Sequence, residues 1–116
     1  MPGVEDATMV DTIGRDKDTG EYKLLLTEYR PWNSDPDQLQ QLVVKAGNYI
    51  QFVKNGELVK QVPDADGVPV TIVIGYYDEP TPEAQAVLDQ LVPQIQGHGL
   101  GVSVIKYDPA DRPASY

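Results

Sequence analysis

One stretch of this chain, residues 68–77, constrains the fold more than any other. Val70, Ile72, Ile74 and Tyr76 fall on one face of an extended strand, and Thr71, Val73, Gly75 and Tyr77 fall on the other. Neither face carries a charge. Such a strand has to be covered on both sides, which puts it in the interior of a sheet. The segments around it set the class, because on each side lies a run whose apolar residues recur at helical spacing.

The first of these runs has a clear start. Asp35 suits the N-cap, Pro36 suits the first helical position, where a missing N–H costs nothing, and Asp37 adds negative charge at the positive end of the dipole. Leu39, Leu42, Val43, Ala46, Ile50 and Val53 then make one stripe, widened by Tyr49 and Phe52. Gly56 fits the position just past the helix end. Residues 57–62 are expected to add a helical turn, and 63–67 a loop. The second run opens at Thr81 as N-cap with Pro82 and Glu83, and its stripe is Ala84, Val87, Leu88, Leu91 and Ile95. Pro93 is expected to bend or shorten the last turn, and Gly97 and Gly99 to end it. A strand over 100–107 follows, with Leu100, Val102 and Val104 on one face.

Ahead of the first helix, strands over 8–14 and 21–29 flank Asp16-Lys17-Asp18-Thr19-Gly20. Asp side chains close turns there and Gly20 supplies positive φ, so the pair reads as a hairpin. The element order is ββαβαβ. Single-stripe helices pack on one face of a sheet, and strand–helix–strand crossovers join parallel strands. The expectation is therefore an α+β chain: a two-layer α/β sandwich with a four-stranded mixed sheet and two helices on one face. A ferredoxin-like arrangement would need the elements in a different order. Residues 8–107 form the single domain, with 1–7 and 108–116 expected as flexible ends. Leu25, Val73, Tyr77, Ile105 and Tyr107 are expected on the sheet face away from the helices. That face is too apolar for full solvation, which points to a dimer or another partner.

The chain has 116 residues, 18 acidic and 9 basic side chains, a net charge of −9 and no cysteine. This balance disfavours nucleic acid and anionic membranes, both of which need clustered Lys and Arg. Disulfides and thiolate chemistry are excluded. No apolar run is long enough for a signal peptide or a membrane span, so a cytoplasmic protein is expected. No metal site is expected. Asp64-x-Asp66-Gly67 and Asp16-x-Asp18-x-Gly20 lack the ligand spacing of a calcium loop, and one histidine without cysteine does not fill a zinc site. No cofactor motif is present either. Gly97-x-Gly99-x-Gly101 precedes a strand, not a helix, so it is not a phosphate loop. His98 sits between two glycines after a helix end, where a surface turn residue is the simpler reading than a general base.

The aromatic residues form the most informative cluster. Tyr29-Arg30-Pro31-Trp32-Asn33 gathers two rings, a cation and an amide on one short connection, and Tyr, Trp and Arg are favoured binding anchors. Tyr29, Arg30, Trp32, Tyr76 and Tyr77 are the candidate binding residues, and no catalytic residue is assigned. The competing reading is structural: Trp32 pins the helix start to the core, and Tyr76 and Tyr77 are core-edge tyrosines with wet hydroxyls.

Several landmarks recur together: Val10-Asp11-x-Ile13-Gly14, the hairpin, Trp32 before a Leu-rich helix, Tyr49-Ile50 late in that helix, Gly56-x-Leu58, and Pro63-Asp64-Ala65-x-Gly67 before a Val/Ile strand. Over about residues 4–107 this pattern resembles an uncharacterised bacterial family, one of the domain-of-unknown-function families of small soluble α/β proteins. The resemblance implies a stand-alone bacterial cytosolic domain and brings no activity, cofactor or catalytic residue with it. The expectation for function is a non-enzymatic protein-binding domain, either homodimeric or an immunity-like acidic partner of a basic protein. The alternative is a small enzyme using carboxylates and tyrosine in a cleft near Trp32 or Tyr76.

Overall fold

The hairpin turn is built by one side chain. Asp16 Oδ1 accepts from the N–H groups of Asp18 (2.8 Å) and Thr19 (3.2 Å), and Gly20 closes the turn at φ 76°. These backbone donors hold the Asp16 carboxyl below its ordinary pKa, with smaller help from Lys23. The computed structural model describes residues 12–33 and 35–113. Within them the turn joins β1 (Thr12–Arg15) antiparallel to β2 (Tyr22–Glu28), with Ile13 opposite Leu24. Residues 8–11 of the expected first strand, the expected flexible end 1–7, and residues 114–116 lie outside the described residues.

Two parallel pairings complete the sheet. β2 pairs with β3 (Val70–Tyr76), placing Leu24 beside Ile72 and Leu26 beside Ile74, and β3 pairs with β4 (Gly101–Lys106), placing Ile72 beside Val102. The strand order is β1-β2-β3-β4, a mixed four-stranded sheet in chain order. The uncharged strand at residues 70–76 is internal, as its two apolar faces require.

Helices α1 (Gln38–Lys54), α2 (Glu57–Gln61) and α3 (Pro82–Gln96) form the second layer. Leu42, Ala46, Tyr49 and Ile50 of α1 and Ala84, Leu88, Leu91 and Ile95 of α3 pack with Tyr22, Leu24, Leu26, Val70, Ile72 and Ile74 in one core. The α3 start is the one its sequence specifies: Thr81 Oγ1 accepts from Ala84 N–H at 3.2 Å and Pro82 follows.

Three local expectations are corrected. α1 begins at Gln38, not at Pro36. Asp35 Oδ1 takes the N–H of Asp37 at 2.8 Å and the Asp35 carbonyl takes that of Gln38 at 3.0 Å, so residues 35–38 make a separate turn ahead of the helix. Val43 is 41% exposed although the apolar stripe includes it, while Lys45 is fully buried. Of the two effects expected of Pro93, bending or shortening, the second does not occur: α3 runs on to Gln96. Pro93 and Asp89 are both exposed, so the helical bond that a proline removes is lost on the solvent side of α3.

Leu25, Val73 and Ile105 take the sheet face away from the helices, as the registers with Thr12, Val73 and Gly75 require. That face is not open, however. Val73 and Tyr77 are only 5% and 8% exposed. The segment expected as a flexible tail includes a 3₁₀ turn, Pro109–Asp111, capped by Asp108 Oδ1 on the N–H of Ala110 at 2.9 Å.

Candidate functional site

All five candidate residues meet where β2 and β3 end, since Glu28 and Tyr76 are register partners and the Tyr29–Asn33 connection leaves from there. The meeting splits into two groups on opposite faces of the sheet, because Tyr76 ends β3 and Tyr77, the next residue along the extended chain, turns to the other side.

On the helix side, Trp32 packs edge-on against Tyr76 with ring centroids 5.7 Å apart, and its indole N–H donates to the Asp78 carbonyl at 3.0 Å. Burial pushes the Tyr76 hydroxyl pKa up, and Glu79 nearby adds to it. Arg30 does not point outward as a free anchor. It forks onto Glu28, Nε to Oε1 at 2.9 Å and Nη2 to Oε2 at 3.0 Å, while Nη2 also donates to Gln41 Oε1 at 2.8 Å. Asp35 stands 3.5 Å from Nη1. The Glu28 side chain is 1% exposed, so a buried carboxylate and its guanidinium tie the end of β2 to α1. Gln38 fastens the same connection from the helix: it accepts from Asn33 N–H at 2.7 Å and donates to the Pro31 carbonyl at 3.1 Å.

On the far face, the Tyr29 and Tyr77 rings stack with centroids 6.0 Å apart, and Tyr107 lies 5.3 Å from Tyr77. Tyr107 rests over Gly75, where a Cβ would collide with its ring. Burial, and secondarily Tyr77, raises the Tyr107 pKa. Arg112 returns from the 3₁₀ turn to set its guanidinium 5.6 Å from the Tyr77 centroid and to ion-pair with the Asp78 carboxylate.

Asp78 thus serves both faces, its carbonyl on one and its carboxylate on the other. A family model matches residues 2–108, almost the whole of this framework. The chain belongs to DUF6572, a family of unknown function. No curated protein and no solved structure matches it.

DUF6572 membership leaves the chemistry to the geometry. No three metal-ligating side chains converge among the described residues. Two surface depressions, of about 410 Å³ and 320 Å³, are lined by Arg15, Asp16, Lys17 and Gly20 at the hairpin and by Asp37, Gln40, Gln41 and Val44 along α1. None of the five candidate residues is among these lining residues. His98 lies in the turn before β4, at the opposite end of the parallel strands from Trp32, and its carbonyl faces Lys54 Nζ at 3.5 Å.

Sequence reasoning missed Glu28, Gln38, Asp78 and Arg112. Glu28 carried a signal in retrospect, as an acid closing an otherwise apolar-in strand two residues before an arginine. Arg112 carried none, because its proline-rich surroundings read as tail.

Proposed function

We propose that this chain is a protein-interaction domain that pairs with a second copy of itself along β4. The observation that carries the reading is the state of that strand. β4 is an edge of the sheet, and Val104 and Ile105, which point to opposite faces, are each 40% exposed. An edge of this kind offers a row of backbone donors and acceptors with apolar side chains above and below, and only Lys106 along it repels a neighbour. Antiparallel pairing about Val104 sets Ser103 opposite Ile105 and Val102 opposite Lys106, with no like charges face to face.

The enzyme alternative draws less support. Trp32 is 9% exposed and closed by Tyr76, and Arg30 and Glu28 are spent on one another. The centre of the apolar far face that suggested a dimer, Val73 and Tyr77, is covered, which shifts the pairing surface toward the edge. The helices of the described residues are too short or too polar to cross a membrane. A sequence without cysteine suits a reducing compartment, and we place the pairing in a bacterial cytoplasm.

Light scattering on a sizing column tests the reading. The chain of 12.8 kDa is expected at about twice that mass. Ile105→Lys, which sets a charge on the edge without touching the core, is expected to return it to a single chain. A wild-type mass of one chain at every loading concentration would overturn the proposal.

A further inference from the structure

The far-face group has the chemistry of a cation site and already holds a cation. Tyr77 presents its ring to the Arg112 guanidinium at 5.6 Å, Tyr29 and Tyr107 flank that ring at 6.0 Å and 5.3 Å, and the Asp78 carboxylate closes the rim. Ring faces attract a cation through their quadrupole, and a carboxylate beside them gives a planar guanidinium both a stacking surface and an acceptor.

The occupant fits the site incompletely. Arg112 Nε is buried and has no hydrogen-bond acceptor among the described residues. A guanidinium has five donors in a fixed fork, and a buried donor left unmet carries its full desolvation penalty. Among the described residues, the segment that delivers Arg112 holds to the sheet chiefly through Arg112 itself. Residues 108–111 are all exposed, and the turn is closed by its own bonds, Asp111 N–H to Asp108 O at 2.9 Å and Arg112 N–H to Pro109 O at 3.2 Å. By contrast, Tyr107 is tied to the sheet through its N–H to the Tyr76 carbonyl at 2.7 Å. The last backbone bond to the sheet among the described residues is thus at Tyr107, and a release of 108–113 beyond it would leave the ring group in place.

We propose that Tyr77, flanked by Tyr29 and Tyr107 and rimmed by Asp78, is an arginine-binding site that Arg112 fills at rest, and that an arginine side chain of a basic protein partner takes it by displacing residues 108–113. The net charge of −9 draws such a partner in and favours it over an acidic one. The inference goes beyond self-pairing, because it concerns a different surface and a different ligand.

The internal arginine is a tethered competitor, present at an effective concentration in the millimolar range. Its removal should raise the affinity for an outside arginine about tenfold or more. The test uses the intact chain and Arg112→Ala, each titrated with the peptide acetyl-Gly-Arg-Gly-amide and its lysine counterpart while the ring resonances of Tyr29, Tyr77 and Tyr107 are followed by NMR. The arginine peptide is expected to shift the Tyr77 ring signals in Arg112→Ala at concentrations at least tenfold below those needed for the intact chain. The lysine peptide is expected to bind more weakly. Adding Asp78→Asn to Arg112→Ala, which keeps the backbone carbonyl for Trp32, is expected to abolish the shift. Three results would overturn the proposal: no ring shift in Arg112→Ala, equal binding with and without Asp78, or equal ring shifts from the arginine and lysine peptides.

Discussion

Arg30 shows how a residue with the chemistry of a binding anchor becomes part of the scaffold. Its guanidinium donates to Glu28 and Gln41 and stands 3.5 Å from Asp35, and its side chain is only 16% exposed. Truncating one member of a buried pair leaves the other charge without its partner, which costs about 3–5 kcal/mol. Arg30→Ala is therefore expected to lower the unfolding free energy by about 3 kcal/mol in urea titrations, with Glu28→Gln giving a smaller loss because the amide still accepts one bond. An Arg30→Ala chain as stable as the wild type would show that the fork contributes nothing net.

Gly75 ties two elements together. It sits on β3 beneath the Tyr107 ring, and any side chain there would overlap that ring. Overpacking of this kind costs about 1–3 kcal/mol. Gly75→Ala is expected to lose that much in thermal or urea unfolding and to recover part of it when combined with Tyr107→Ala; strict additivity of the two losses would argue against the contact. At this scale the sequence was most informative. The helical stripes of α1 and α3, the Thr81 cap and the interior place of β3 were all legible, because short-range periodicity and capping chemistry determine them. The start of α1 was not, because Asp35 has two ways to use its carboxylate and the turn won. The burial of Lys45 in place of Val43 was also hidden, since helix rotation depends on what packs against α1 and not on α1 alone. Of the candidate site, the grouping of rings and a cation was legible but the partners of those side chains were not: Glu28–Arg30 and Asp78–Arg112 are side-chain pairings that periodicity does not encode.

Across the whole molecule the charge of −9 acts on the two proposed surfaces with opposite sign. Two copies repel one another, so screening should strengthen pairing along β4, whereas an incoming arginine is attracted, so screening should weaken it. Sedimentation velocity and peptide titration over the same salt series are expected to diverge: tighter self-association and weaker arginine binding as salt rises. Parallel trends would mean that one of the surfaces is misassigned.

The order β1-β2-β3-β4 has a consequence for the birth of the molecule. Each strand is laid against the one made before it, and no later strand has to be inserted between two earlier ones. The sheet advances in a single direction as the chain leaves the ribosome, like courses of brick added to one side of a wall. Nothing already built has to reopen, so the early hairpin is a template that stays in use. The front of that advance is β4, and the rule that placed it there applies equally to any strand that arrives from outside.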